Sequence, residues 1–169
     1  MILPNRALAK VVRSGMKTAL AQVTIVSEEL QMTMTNKDIS QVLTEEAIGF
    51  IDFFKRSINR NILSMPGPYT VFAPVDQVFS NLPVGLKFKT KSDQSIADKL
   101  FNTHIVIGYY LEKDLAKMDV LMNLNNDSLS IAKCNSSVTI QHACLIKSDI
   151  ECINGIVHLI DNLLFPPHL

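Results

Sequence analysis

The chain lacks an excess of either charge. Lys and Arg number 16, Asp and Glu 16, and the formal net charge is +0 over 169 residues. A nucleic-acid binder draws affinity from basic residues that displace counterions from phosphates, and an aromatic content of 7% offers no stacking platform, so no nucleic-acid partner is expected. Cysteine is scarce too. Cys134, Cys144 and Cys152 all fall in the last quarter, and three thiols close no disulfide framework. They read as small half-buried hydrophobes, with one bridge left open because sequence does not give a Cα separation. No run approaches the ~20 apolar residues that cross a bilayer, so no transmembrane segment is expected in this chain. The apolar stretch at 19–26 is interrupted by polar residues and runs into Ser27-Glu28-Glu29, which leaves no clear signal peptide. A Gly-rich phosphate loop, a zinc-protease His pair, a CxxC pair and a nucleophile elbow are all missing. Neither catalysis nor a cofactor is expected.

What is present is a foldable chain, 47% hydrophobic and long enough for one sizeable core plus an appendage. Residues 1–38 show no clear period, though Leu8, Val11, Val12, Gly15, Met16 and Ala19 suit one face of a short helix. Asn36 or Asp38 offers a cap. From Ile39 the apolar residues Val42, Leu43, Ala47, Phe50, Ile51 and Phe54 recur at helical steps, predicting one or two core-facing helices with a break near Thr44. The prolines of Met65-Pro66-Gly67-Pro68 end that region. Tyr69 to Ala73 is a buried strand closed by Pro74, and Asp76 is placed to cap a short helix through Phe79.

Residues 86–91 alternate apolar and Lys residues, and Lys87, Lys89 and Lys91 read as a solvated or edge-protecting face, with an anionic-polysaccharide contact as the sharper alternative. A helix from Ser95 to about Thr103 and a strand at 105–107 follow. The remainder breaks into short strands. One run from Val138 through Cys144 to Ile146 puts His142 and Cys144 on one face, Asp149-Ile150-Glu151 begins another edge, and Asn154-Gly155 is a tight turn of two residues tolerant of positive φ that pins the final strand's register. Helices first and strands afterwards predict an α+β fold.

Three constellations carry possible chemistry. Cys134, His142, Cys144 and Cys152 supply zinc-type ligands, but their spacing matches no ligand pattern, and no metal is expected. Asn126-Asp127-Ser128 and Asn135-Ser136-Ser137 are sequons in predicted turns. His104, between a helix end and a strand, has a ring suited to tying two elements together.

The segment Tyr69-Thr70-Val71-Phe72-Ala73-Pro74-Val75-Asp76-Gln77-Val78-Phe79 resembles the first signature block of fasciclin-type domains. Asn154-Gly155-Ile156-Val157-His158-Leu159-Ile160-Asp161, followed by Leu163-Leu164-Phe165-Pro166-Pro167, is similar to the second. Leu100-Phe101-Asn102-Thr103-His104-Ile105-Val106 resembles the central histidine segment. The resemblance implies a fasciclin-like fold over 39–169, with N-terminal helices packed on a sheet or wedge formed mainly by the C-terminal half, and residues 1–38 as an extension. Its architectural positions here are Thr70, Phe72, Pro74, Asp76, Phe79, Asn154, Gly155, His158 and Asp161. It further implies a secreted or cell-surface module for cell–cell or cell–matrix contact, whose partner is a receptor, a matrix protein or a polysaccharide. In some members contact is ascribed to a Tyr-His segment and an Asp-Ile pair, which here become His104 (with Thr103 in place of tyrosine) and Asp149-Ile150. The alternative is a protein that holds a small apolar ligand or lipid between helices and sheet, lined from 39–54.

Overall fold

Residues 36–169 are described by a computed structural model; the short helix expected at 8–19 lies outside the described residues. The described elements are α1 (Ile39–Glu46), α2 (Ile48–Phe53), a 3-10 helix (Ile58–Ser64), β1 (Tyr69–Pro74), α3 (Asp76–Asn81), α4 (Val84–Ser92), α5 (Gln94–Thr103), β2 (Ile105–Ile107), α6 (Glu112–Leu115), β3 (Val120–Met122), β4 (Ser128–Cys134), β5 (Ser137–Ile140), β6 (Ala143–Cys152) and β7 (Gly155–Ile160). The fold is α+β.

Helix α1 starts where Asp38 and Gln41 form a reciprocal capping box, which satisfies two donors that have no partner inside the helix. The break expected near Thr44 falls at Ala47, whose φ/ψ of −153°/59° is not helical. Thr44 stays helical by donating to the Ser40 carbonyl. The apolar stripe then buries Ile39, Leu43, Ala47, Phe50 and Phe54 completely.

The strands form one seven-stranded sheet in the order β2-β1-β7-β6-β5-β4-β3. Its second and third strands, β1 and β7, are a parallel pair in register from Tyr69↔Gly155 to Pro74↔Ile160; the other pairings are antiparallel. Strand β7 is buried along its whole length and β1 from Thr70 onward. Strands covered on both faces read as near-continuous apolar runs, which is why these two segments are so rich in Val, Ile, Leu and Phe. On one face, Val71, Ala73, Val157 and Leu159 pack under the helices with Phe50, Phe54 and Phe101. On the other, Phe72 and Ile160 pack with Leu115, Leu129, Ile131, Ile140 and Leu164. The rings of Phe50 and Phe54 lie 5.0 Å apart at 63°, and both approach Phe101 within 6 Å, at 5.8 and 5.6 Å. The aromatic residues of 39–54 thus fill the interior between helices and sheet.

Several expectations are corrected. Residues 86–91 are helical, part of α4, so the three lysines protect no sheet edge, while Lys89 and Lys91 are exposed as the solvated reading has it. A two-residue alternation over so few positions also fits 3.6 periodicity, and here Leu86 and Thr90, four apart, turn inward together with Thr90 bonding the Leu86 carbonyl. The run from Val138 to Ile146 is not one strand. Gln141 takes φ 55°, so the chain reverses between β5 and β6 and His142 lies in the turn. Asp149-Ile150-Glu151 does not begin a new edge but continues β6 through a register shift, with Asp149 at φ 59°. Asp76 does not cap α3. It is the first helical residue, and its carboxylate accepts the Gly49 N–H at 2.7 Å.

Candidate functional site

A buried imidazole with two hydrogen-bond partners has its tautomer fixed by them. His104 follows α5 and is fully buried. Its Nδ1–H donates to the Leu100 carbonyl at 2.7 Å, and its Nε2 accepts the Leu164 N–H at 3.0 Å. The ring therefore joins α5 to the segment after β7, packed within 5.7 Å of Phe50 and of Phe54. Because Nε2 must accept, the ring has to be neutral, and burial lowers its pKa to about 4, against a smaller opposing pull from the Leu100 carbonyl.

His158 holds the opposite tautomer on the other side of the sheet. Its Nε2–H donates to the Tyr110 carbonyl at 2.8 Å and its Nδ1 accepts the Asp149 N–H at 3.1 Å. Phe72, its register neighbour on β1, stacks on it at 5.6 Å and 19°. Burial pushes this imidazole down, opposed by the Tyr110 carbonyl and the carboxylates of Asp149 and Glu112.

Asn154 is 8% exposed and its side chain is a three-way clasp. Its Oδ1 accepts the Ile39 N–H, while Nδ2 donates to the carbonyls of Leu63 and Met65, each at 2.9 Å. The turn it sits in works differently from the expectation of two positive-φ residues. Gly155 has φ 156° and Asn154 is not among the positive-φ residues. Glycine is required at 155 because a Cβ there would lie 1.9 Å from the Tyr69 carbonyl oxygen. Thr70 donates to the Gly108 carbonyl at 2.9 Å and accepts the Tyr110 N–H at 3.1 Å. Asp161 accepts the Cys144 N–H at 2.8 Å, and the same carboxylate is the largest influence pushing the Cys144 thiol pKa up. Phe79 packs at 5.1 Å from Phe53, and Pro74 closes β1 opposite Ile160.

The exposed polar cluster lies where β6 shifts register. Asp149 is exposed, and its Oδ1 accepts the Glu112 N–H at 2.7 Å, holding the start of α6. Ser148 bonds the Glu112 carboxylate, and Tyr109 bonds Glu151. That carboxylate, behind desolvation as the larger cause, drives the Tyr109 pKa well above the usual phenol range. Ile150 is half-buried against the helical core. The hydrogen bonds of His104 and Asp149 do not meet: the histidine bonds Leu100 and Leu164, and Asp149 bonds Glu112 and His158.

Sequence inspection passed over Asp98, whose carboxylate takes both the Ser57 hydroxyl at 2.6 Å and the Ile58 N–H at 3.0 Å, and Gln141, whose amide both donates to and accepts from the Phe165 backbone. Neither carries a local signal, since each partner is 24 or more residues away. Among the described residues, no three His, Cys, Asp or Glu side chains converge in a way that would hold a metal ion. Cys134 is exposed at the β4 end, and Cys144 lies beyond the turn that carries His142.

The family model for the Fasciclin domain matches residues 45–166. An uncharacterised protein of Synechocystis is 32% identical over 104 residues, 62% of this chain and 77% of that protein. The transforming growth factor-beta-induced protein ig-h3 of Sus scrofa is 30% identical over 105 residues, 62% of this chain but 15% of its own length. In fold, the chain is similar to a FAS1 domain pair from the insect cell adhesion molecule Fasciclin I. The TM-score is 0.66 at 20% identity, covering 76% of this chain and 51% of that one.

Proposed function

We propose that this chain, which belongs to the fasciclin domain family, is a non-catalytic binding module that works at a cell surface or in the extracellular space, joining cell to cell or cell to matrix. One observation carries the reading: the polar side chains of the signature segments are engaged by the fold's own backbone. His104, His158, Asn154, Thr70, Asp76 and Asp161 each bond a main-chain group. Side chains so held act as architecture, and freeing any of the buried four, Thr70, His104, Asn154 or His158, leaves a polar partner unsatisfied. The likeness to a domain pair from a cell adhesion molecule agrees with this in fold. Recognition then falls to the outer surface. Of the positions ascribed to contact, Asp149 is the exposed one, and we assign His104 to the interior. The partner class is a receptor, a matrix protein or a polysaccharide. A lipid pocket between helices and sheet has no comparable support, because Phe50, Phe54 and Phe101 occupy that interior.

The test is attachment of cells or matrix to immobilised full chain. Dose-dependent attachment that survives chelators and thiol blockers is expected. Turnover of an ester or glycan substrate that one point substitution abolishes would overturn the reading.

A further inference from the structure

Helix α4 carries the lysines that the proposed function leaves unused. Its nine residues contain Lys87, Lys89 and Lys91 and no carboxylate. The nearest acid in sequence, Asp93, is occupied in capping α5 through the N–H groups of Ser95 and Ile96. Lys87 reaches the Ser80 carbonyl at 3.1 Å, and the ion pairs with acidic side chains among the described residues are made by Lys37, Lys147 and His158, not by these three lysines.

The same helix exposes two large apolar side chains, Val84 at 80% and Phe88 at 70%. They are four residues apart, so at 3.6 residues per turn they share one face with Lys91, away from the inward Leu86 and Thr90. Nothing lies within 4 Å of where a Cβ on Gly85 would project, so that flank is open. Two exposed apolar side chains beside three lysines, on a helix free of acids, suit a shallow contact in which the apolar groups enter a membrane interface and the ammonium groups stay at the headgroups.

We propose that α4 is a membrane-docking face. Val84 and Phe88 enter the boundary between headgroups and acyl chains, and Lys87, Lys89 and Lys91 sit among the phosphates of an anionic bilayer. Charge complementarity selects the anionic surface, and the aliphatic Val84 exposed beside Phe88 favours a bilayer, whose acyl boundary takes up both side chains. The inference stands independently of the adhesion reading.

The test is co-sedimentation of the full chain with vesicles of phosphatidylcholine alone or mixed with phosphatidylglycerol. Binding to the mixed vesicles alone is expected, falling with added salt. Arg6, Lys10, Arg13 and Lys17 also lie in this chain, so the variants decide. Phe88→Ser should weaken binding by about tenfold or more. Lys89→Gln and Lys91→Gln should each weaken it by roughly fivefold, with circular dichroism unchanged because Phe88, Lys89 and Lys91 are exposed. The idea fails if the parent chain does not bind mixed vesicles, or if Phe88→Ser binds as the parent does. In the second case, loss of retention on a sulfated polysaccharide in the lysine variants alone would identify the occupant as a glycan.

Discussion

Asn154 holds three backbone groups with one side chain, and those groups come from two separate elements, the start of α1 and the 3-10 helix. Asn154→Ala leaves the Ile39 N–H and two carbonyls without this partner, and should lower stability by about 2–4 kcal/mol in urea unfolding. Asn154→Asp should do at least as much harm, since a carboxylate oxygen would then face the Leu63 and Met65 carbonyls. His104 makes a pH prediction with a definite sign. Unfolded histidine titrates near 6.5, folded His104 at about 4, so between those values the unfolded state binds the extra proton. Stability therefore rises with pH through that window and levels off above it, by ~3 kcal/mol for His104 alone. His158, also lowered, adds in the same direction. Urea midpoints measured from pH 4.5 to 7.5 should rise steeply in the parent and less in His104→Gln; equal slopes would contradict the assignment. At this scale the sequence marks which residues matter but not what they hold, because the partner of Asn154 or Asp98 is a backbone group of ordinary residues 40 to 115 positions away.

Among the elements, two glycines make opposite predictions. In α4, Gly85 has open space where a Cβ would go, so Gly85→Ala should stabilise by about 0.5–1 kcal/mol through helix propensity. At the head of β7 an added Cβ meets the Tyr69 carbonyl oxygen at 1.9 Å, so Gly155→Ala should separate β1 from β7 and abolish the native thermal transition. Strands β1 and β7 are legible in sequence because burial on both faces forces a near-continuous apolar run, and α5 because Ile96, Leu100 and Phe101 share a face. Helix α4 is misread because Leu86 to Lys91, with a lysine at every second position, satisfies a period of two. The β5–β6 reversal is hidden because it turns on Gln141, a residue type with no turn preference to advertise it.

Across the whole molecule, the two cores share one wall, the β1–β7 pair. Phe101→Ala on the helix side and Phe72→Ala on the other should each cost about 3–5 kcal/mol, and each should shift a single cooperative transition seen alike by far-ultraviolet and near-ultraviolet dichroism. Two separate transitions would show that the wall does not couple the cores. The parallel pairing also sets an order of events in time. Strand β7 lies more than eighty residues after β1 and is the strand that joins β1 to β6, so a ribosome must deliver nearly all of the domain before the two parts of the sheet are linked. Until then β1 has only β2 beside it, and its other edge waits open for a strand still to be made.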